Sequence, residues 1–436
     1  MDGFPIMGIP DSGDTAWMLA SAALVLLMTP GLAFFYGGMV RAKGVLNMIM
    51  MSVSAMGVIT VLWVLYGYSM AFGSDKFNFV GDPTQYWGLK GLIGGVYAQL
   101  KPEDAAVAIP LAGTIPQTVF VAFQLMFAII TVALISGAVA DRLKFGGWLL
   151  FAGLWATFVY FPVAHWVFAF DGVTGEKGGW IANQLKAIDF AGGTAVHINS
   201  GTAGLVLCLI LGKRIGWPGT MMRPHNLTFV MLGAGLLWFG WYGFNAGSAV
   251  GSNGIAGATF ITTTIATGTA MLGWLITERI RDGHATTLGA ASGIVAGLVA
   301  ITPSCSSVNA VGALIIGLLA GVVCALAVGL KFKLGFDDSL DVVGVHLVGG
   351  LLGTLMVGLV AAPEAPAAVT GLFYGGGFDQ LIKQAIGAFA VLAYSAIGTA
   401  IIAYVVKFTI GLRLDEEAEA TGIDESEHAE TAYELA

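Results

Sequence analysis

Two segments of the sequence place an aspartate, small residues and a histidine in apolar surroundings. DFAGGTAVHINSGTAGL begins at Asp189 and contains His197, whereas DVVGVHLVGGLLGTL begins at Asp341 and contains His346. A neutral imidazole has one hydrogen-bond donor and one acceptor, so two such rings can share a hydrogen bond and relay a proton. The pair predicts a narrow path for a small polar molecule or a proton, with a structural pair as the alternative.

The two aspartates stand at the starts of apolar helical segments, where a carboxylate can accept hydrogen bonds from free backbone N–H groups. Capping is the simpler interpretation of both Asp189 and Asp341. Asp189 can also supply negative potential to a nearby cation site while it caps. For His165, which lies near Pro162 on an apolar helix, we expect a buried, hydrogen-bonded structural role.

A third segment, LLWFGWYGFNAGSA at 236–249, is rich in aromatic residues and includes Trp241, Phe244 and Ser248. Aromatic rings attract cations by roughly 0.5 to 2 kcal/mol, depending on desolvation. A serine hydroxyl can accept a hydrogen bond from a cation that carries N–H groups. An aromatic belt at the membrane interface is the alternative interpretation, and the two roles are compatible.

The composition indicates that these residues lie in a lipid bilayer. Of 436 residues, 57% are hydrophobic and only 11% are charged, and the mean hydropathy is +0.83, whereas soluble domains carry about 25% charged residues. The 63 glycines predict close approach of helix backbones. The sequence shows no nucleophile and base constellation, phosphate loop or metal-ligand spacing, so we expect no enzyme, no cofactor, no metal and no nucleic-acid partner.

Charge-free stretches of about 20 residues mark the membrane spans, because a charge at the bilayer centre is costly. They predict an all-α polytopic protein with eleven transmembrane helices. The predicted spans are 15–37, 47–72, 115–139, 147–169, 191–212, 226–247, 255–277, 286–304, 311–330, 342–362 and 384–406. Two pairs of spans are divided on length alone, and the polar segments 248–254 and 302–309 are expected to form the turns between them.

Basic residues are distributed unequally between the two sets of loops. All seven arginines fall in one set, which the positive-inside rule assigns to the cytoplasm. An odd number of spans then places the N terminus outside and the C terminus inside a cell (plasma) membrane. The acidic leader 1–14 has no basic n-region, so the first span is expected to remain uncleaved.

The chain is divided into a transmembrane domain, 1–410, and an acidic cytoplasmic tail, 411–436. The segment LDEEAEATGIDESEHAETAYELA contains nine Asp and Glu residues, with only His428 on the basic side. Such a composition is typical of a solvated, partly disordered segment.

The two segments that contain His197 and His346 fall in the fifth and tenth predicted spans. With an odd number of helices in each half, the second half is inverted relative to the first, as in many transporters. The spacing therefore predicts an inverted five-helix repeat plus a final helix, with the two histidines near the pseudo-two-fold axis. Chance similarity between segments rich in Gly and Ala is the alternative.

Several long segments resemble the Amt/Mep/Rh family of ammonium transporters, in its bacterial Amt branch. They are DFAGGTAVHINSGTAGL, GWYGFNAGSA, ADRLKFGGWLLFAGLWATFVYFPVAHW, GKRIGWP with RPHNL, and DVVGVHLVGG. The resemblance extends from residue 14 to the tail. It implies an Amt-type fold with eleven transmembrane helices and an inverted five-helix repeat, and a homotrimer with one pore in each subunit.

The resemblance also implies roles for nine residues. Binding of ammonium at the external site is implied for Phe123, Phe168, Ser248 and Asp189. A stacked gate is implied for Phe127 and Phe244, and the pore lining for His197, His346 and Trp241. Phe168 stands where the family usually has tryptophan, the stronger cation–π partner, so weaker external binding is expected unless Trp166 or another aromatic residue compensates.

The implied activity is ammonium uptake: the ion is deprotonated near the gate, ammonia passes the histidines, and the proton crosses separately, which makes uptake electrogenic. One alternative is an ammonium sensor, and the resemblance implies a cytoplasmic PII-type (GlnK-like) regulatory protein as a partner. A second alternative is a sodium-coupled symporter of inverted-repeat type, which would have broken helices and carbonyl-lined ion sites.

Overall fold

The structure, a computed structural model, describes residues 3–93, 108–219 and 223–433. Ten helices in this part of the chain are long and apolar enough to cross a membrane, so the chain is a multi-pass membrane protein, as the sequence predicts. These helices, with a shorter eighth one, are α1 Ser12–Met39, α2 Ala42–Phe72, α3 Gln117–Val139, α4 Phe145–Phe168, α5 Gly193–Leu211, α6 Leu227–Ala249, α7 Gly254–Asp282, α8 Thr287–Ile301, α9 Ala310–Leu334, α10 Val343–Val360 and α11 Asp379–Thr409.

The short helix α8 differs from the prediction of a full span at 286–304. It has 15 residues, or roughly 22 Å at 1.5 Å per residue, against a hydrocarbon core of about 30 Å. Turns follow it from 302 to 307. Residues 293–301 are all buried inside the protein, and a helix surrounded by protein does not have to match the thickness of the lipid.

Polar side chains fix where several helices begin. Asp11 accepts a hydrogen bond from the backbone N–H of Asp14 at the start of α1. Asn253 and Asn309 cap α7 and α9 in the same way. These caps satisfy backbone N–H groups that have no partner within the helix, and they confirm that polar turns separate the spans at 248–254 and 302–309.

Glycine allows neighbouring helix backbones to touch. A Cβ atom at Gly233 of α6 would collide with the backbone of Phe35 in α1, and one at Gly353 of α10 would collide with the backbone of Ala300 in α8. The predicted close packing of helices through glycine is therefore present, and it places α10 directly against α8.

Two small antiparallel sheets, which the sequence did not predict, lie at the end of the bundle where α1 begins. One joins β1 Ile6–Gly8, β4 Ile109–Ala112 and β5 Ile115–Pro116, and the other joins β2 Asp75–Lys76 to β3 Val80–Gly81. We call this end the N-terminal face. The opposite end, where α1 finishes, carries the tail and is called the C-terminal face.

The tail is folded, and the prediction of a solvated, partly disordered segment is wrong for its described residues up to 433. It forms two short helices, α12 Glu416–Thr421 and α13 Ile423–His428. Three of its carboxylates accept hydrogen bonds from backbone N–H groups of other segments: Asp424 from Leu46 and Asn47, Glu427 from Phe145, and Glu419 from Ile215. Composition records the charges but not these partners, which lie hundreds of residues away in sequence.

Arg142 joins three segments of the C-terminal face. Its buried guanidinium donates to the carbonyl oxygens of Gly212 at 2.9 Å and Asp337 at 2.5 Å, and to the Ser339 hydroxyl at 2.6 Å. Burial lowers the pKa of Arg142 to about 10, although the Asp337 charge acts against this shift. Burial disfavours the ionised form of Asp337 too, but its hydrogen bond with Arg214 and the two arginine charges outweigh burial and lower its pKa.

Candidate functional site

A cavity of about 380 Å³ opens at the N-terminal face, and aromatic rings form much of its wall. Phe123, Phe168 and Ser248, three of the four residues predicted for the external site, line this outer cavity. Phe123 and Phe168 are buried, and Ser248 is half-buried. The structure therefore brings π faces and a hydroxyl group together in one space.

The orientation of the Ser248 hydroxyl leaves its oxygen able to accept a hydrogen bond. Its hydroxyl donates to the carbonyl oxygen of Phe244, one turn earlier in α6, at 2.7 Å. Because a hydroxyl has one proton and two lone pairs, the lone pairs stay available to a donor in the cavity. The side chain is thus suited to a ligand that carries N–H groups.

Two stacked phenylalanine rings close the floor of the outer cavity. Phe127 of α3 and Phe244 of α6 have ring centroids 4.2 Å apart and planes inclined by 26°. Phe123 packs against Phe127 edge to face at 4.9 Å. Phe127 lines the outer cavity and Phe244 lines the pocket behind it, so the stack separates the two spaces.

The pocket behind the stack is narrow and mostly apolar. Its volume is about 10 Å³, which is close to the space needed for a single water molecule. His197, His346 and Trp241 line it together with aliphatic side chains. A hydrated ion does not fit in this pocket as it stands.

The two histidines form the predicted pair. Their Nδ1 atoms are 3.3 Å apart, their ring centroids are 5.3 Å apart, and both rings are buried. When both rings are neutral, one Nδ1 donates a hydrogen bond and the other accepts it, so the two Nε2 atoms have opposite protonation. Nε2 of His197 is buried without a hydrogen-bond partner.

Local backbone geometry turns both histidines toward each other. His197 lies in a π-helical turn, Gly193–Ile198, and His346 lies in another, Val343–Leu347. Such turns are rare and occur often at functional sites. Trp241 packs on His197 with centroids 5.4 Å apart and is held by a hydrogen bond from its indole N–H to Thr302 Oγ1 at 2.9 Å.

Asp189 does not line the outer cavity, although its neighbour Phe190 does. Its carboxylate accepts hydrogen bonds from four backbone N–H groups at the start of α5, those of Gly192, Gly193, Thr194 and Ala195, and from the Thr194 hydroxyl. The capping role predicted for Asp189 is confirmed. A direct contact with a ligand in the cavity is not what the structure shows, so any effect on a cation acts through its potential.

Asp341 does not cap α10, and that prediction is wrong. Asp341 has a left-handed backbone, with φ at 64°, and binds Lys331 at 2.6 Å. Asp338 instead accepts from the backbone N–H groups of Val342 and Val343. Burial raises the pKa of Asp338 to about 6, against the opposing charge of Lys331. Asp338 precedes His346 by eight residues, the same spacing as Asp189 and His197.

Trp166, which we expected could compensate for a phenylalanine at position 168, does not line the outer cavity. Its indole N–H donates to the Phe79 carbonyl oxygen at 2.7 Å, and its ring packs on Tyr394 at 4.7 Å. Phe168 itself stands 6.3 Å from Phe127, edge to face.

Other residues of the site were missed, although the sequence contains a signal for some of them. Phe120 and Gln124 line the outer cavity beside the predicted Phe123 and Phe127, and Ile130 and Leu134 line the pocket behind the stack. Their spacing of three and four residues places them along one face of α3. Extending the spacing from Phe123 and Phe127 along the helix would have found the whole face.

A second large cavity, of about 560 Å³, opens at the C-terminal face. Its wall includes basic side chains, among them Arg214, Arg223, Arg281 and Lys331, with Asp282 and Asp341 beside them. Trp217 and Phe332 stack there with planes inclined by only 7°. The histidine pocket therefore has a large cavity at each face of the bundle.

Comparison with known proteins shows which family the chain matches. The family model described as Ammonium Transporter Family matches residues 16–433. The chain belongs to the ammonium transporter family. The family's members are transporters rather than enzymes, and ammonium transport is the function that the match supports.

Individual relatives agree with the assignment to the ammonium transporter family. An ammonium transporter of Mycobacterium tuberculosis is 77% identical, with 100% of this chain and 93% of the relative covered. The crystal structure of Candida albicans Mep2 has a TM-score of 0.82 at 33% identity and covers 94% of this chain and 87% of its own. A structure described as a sensor Amt protein has a TM-score of 0.85 at 26% identity and covers 95% and 98%.

Proposed function

We propose that this member of the family takes up ammonium by binding the ion in the outer cavity and conducting neutral ammonia past His197 and His346. The observation that carries the proposal is the order of groups along one path. An aromatic cavity with a hydroxyl acceptor comes first, the closed Phe127 and Phe244 stack second, and a buried histidine pair third.

The outer cavity supplies what an ammonium ion needs to leave bulk water. Ser248 offers lone pairs to its N–H groups, and Phe123 and Phe168 offer π faces to its charge. The Asp189 carboxylate contributes negative potential from behind the wall while it caps α5. The ion therefore collects in the cavity above the stack.

Passage beyond the stack requires loss of the charge. Burying an isolated ion in an apolar medium costs tens of kcal/mol, and a pocket of about 10 Å³ cannot keep the hydration shell. Ammonium avoids this cost by giving up a proton and passing as ammonia. Potassium has the same charge and no proton to lose, so it is excluded.

The histidine pair gives the proton a separate route. One Nδ1 donates to the other across 3.3 Å, and moving that proton reverses the protonation of both Nε2 atoms. Proton movement through the pair, or through water beside it, makes uptake electrogenic and inward.

The test is to record currents from proteoliposomes after an ammonium pulse, comparing the parent with His346→Ala. We expect a saturable ammonium current in the parent and loss of that current, or loss of selectivity against potassium, in the variant. His284→Ala, in an exposed loop, is the matched control and should behave as the parent does.

Two outcomes would contradict this mechanism. An unchanged, selective current in His346→Ala would remove the histidine pair from the proton route. If the internal pH of the vesicles reports ammonia flux but the parent gives no current, the protein conducts only neutral ammonia.

The proposal includes eleven crossings of the cell membrane, with α8 as a short crossing, the N-terminal face outside and the C-terminal face in the cytoplasm. The concentration of arginine on the C-terminal face supports this orientation. The matched caps before His197 and His346, and the π-helical turns that contain them, support an inverted five-helix repeat followed by α11.

A homotrimer and a cytoplasmic PII-type (GlnK-like) partner belong to the proposal as well. The C-terminal face offers a basic cavity and a folded tail on which a trimeric regulator can dock. Binding of purified PII protein to the full chain, and to a chain that ends at Arg413, tests this part. Equal binding to both would exclude the tail from the interface, and no binding to either would remove the partner.

A sensor remains the second candidate, because one structural relative is described as a sensor Amt protein. It would signal through a recruited protein, and transport would be incidental. If the proteoliposomes show no ammonium current and no ammonia flux, the sensor becomes the first candidate.

A further inference from the structure

His165 is a buried residue that the mechanism above does not use. It lies in α4, three residues before Phe168, and its side chain is fully buried. Its Nδ1 is 3.0 Å from the carbonyl oxygen of Ala71 in α2, and its Nε2 is 3.1 Å from Oδ1 of Asp75 in β2. The sequence predicted a structural histidine here, and both ring nitrogens do have partners.

The two partners determine how many protons the group holds. A backbone carbonyl can only accept, so Nδ1 must carry a proton. An ionised carboxylate can also only accept, so Nε2 must carry one too, unless the Asp75 carboxyl is itself protonated. If the imidazole were neutral and Asp75 ionised, the unprotonated ring nitrogen would point its lone pair at a lone pair on the oxygen of Ala71 or Asp75. The pair therefore holds one more proton than a neutral histidine beside an ionised aspartate.

The second oxygen of Asp75 indicates where that proton resides. Oδ2 accepts a hydrogen bond from the backbone N–H of Asn78 at 2.9 Å, and accepting this bond favours the ionised carboxylate. This hydrogen bond favours placing the shared proton on the ring of His165 rather than on Asp75. The carboxylate side chain is only 7% exposed, so water screens the ion pair weakly.

No other charge competes for the ring among the described residues packed around it. Lys76, the next residue on the hairpin, binds Asp82. Tyr68 in α2 accepts a hydrogen bond from Gln117. Near this turn of α4, Lys186 is exposed and His197 pairs with His346. Tyr160, five residues before His165 in α4, is a phenol that carries no charge at neutral pH.

The contacts of His165 join α2 and α4, which both contribute to the wall of the outer cavity, to the hairpin 75–81 beside them. Ala71 is followed by Phe72, which lines the cavity, as does Phe168. Trp166, the residue after His165, binds the Phe79 carbonyl of the same hairpin. The hairpin 75–81 is therefore fastened to α4 at two adjacent residues, and α2 is fastened at one.

We propose that His165 and Asp75 form a buried imidazolium–carboxylate ion pair that positions the aromatic wall of the outer cavity. His165 is then a positioning residue for ammonium binding, acting through Phe72 and Phe168 rather than by contact. The positioning role rests on the function proposed for the cavity, whereas the charge of the pair does not.

The charge is tested by ¹⁵N NMR of the histidine rings in the full chain, with His165→Gln used to assign the signals. At about pH 7.5, where an ordinary histidine is mostly neutral, we expect both ring nitrogens of His165 to be protonated. Asp75→Asn keeps the shape but offers an amide N–H to Nε2, so Nε2 should then be unprotonated. A singly protonated His165 in the parent, or no change in Asp75→Asn, would overturn the ion pair.

Positioning is tested by amide hydrogen exchange of the hairpin and by ammonium currents. In His165→Ala and Asp75→Ala we expect hairpin amides to exchange about tenfold faster. The ammonium concentration for half-maximal current should rise several-fold while the maximal current changes by less than about twofold. Lys76→Ala, which removes an exposed salt bridge on the same hairpin, is the control and should change neither.

Unchanged hydrogen exchange in both alanine variants would overturn the positioning role. The role would also be overturned if the parent gives an ammonium current and the variants need the same ammonium concentration for half-maximal current. Absence of ammonium current in the parent itself would instead defeat the proposed function. Hydrogen exchange and NMR would still decide the ion pair in that case.

Discussion

Phe168 is the outer-cavity residue at which the sequence resemblance leads us to expect tryptophan. Its ring lines the cavity and stands 6.3 Å from Phe127, and Trp166 is turned away into contacts with Phe79 and Tyr394. The sequence raised the question of compensation, and the structure shows that Trp166 does not provide it.

Phe168→Trp should therefore tighten ammonium binding. Tryptophan is the better cation–π partner, and a gain of about 0.5 to 1 kcal/mol corresponds to a half-saturating ammonium concentration roughly two- to fivefold lower. Concentration-dependent currents in proteoliposomes measure it. Phe373→Trp, at an exposed position, is the control, and an equal or higher half-saturation in Phe168→Trp would count against a cation–π role.

Sequence motifs identified most of the site at the level of single residues. Phe123, Phe168 and Ser248 do share one cavity, and His197 and His346 do pair. Hydrogen-bond partners were beyond prediction. The five hydrogen bonds that Asp189 accepts depend on the exact path of the chain after it, and that path includes a glycine, Gly192, at a φ of 125°.

Elements differ in how well the sequence specifies them. The long charge-free helices were placed to within a few residues because apolar length dominates in a bilayer. The start of α10 was placed to within one residue, but its cap was assigned to the wrong aspartate. Asp338 and Asp341 are equally plausible caps in sequence, and only the left-handed backbone at Asp341 turns its carboxylate away. The tail was misjudged because its helices are stabilised by partners elsewhere.

The tail helix α13 supports the start of α2, and Asp424→Asn should loosen it. The α-helical part of α2 has no cap of its own at Gly44, and Asp424 supplies the cap from the tail. Asparagine keeps one acceptor oxygen but sets an amide N–H against the other backbone N–H. Losing that hydrogen bond costs about 1 kcal/mol, which corresponds to about fivefold faster opening of the tail.

Hydrogen exchange of residues 416–428 measures this opening. Glu425→Gln, an exposed position on the same helix, is the matched control and should leave exchange unchanged. Equal exchange in the Asp424→Asn variant and the parent would show that the tail is held without this cap.

At the scale of the whole molecule, the proposed orientation in the membrane can be tested by labelling each face of the bundle. All three cysteines are buried, so a cysteine introduced on either face can be labelled selectively. Phe77→Cys, at a position 95% exposed on the N-terminal face, should react with a membrane-impermeant maleimide in intact cells. Glu416→Cys, on the exposed surface of the tail, should react only after permeabilisation, and the reverse pattern would invert the proposed topology.

The position of Arg142 has a consequence for how the protein is made. Its carbonyl, hydroxyl and carboxylate partners include Asp337 and Ser339, about 195 residues later in the chain. A ribosome that adds roughly 5 to 20 residues per second needs tens of seconds to reach them. During that interval the first five helices are already in the bilayer while this arginine lacks its counter-charge. The hydrogen bonds that join Arg142 to the segment before α10 therefore form only after most of the chain has been synthesised.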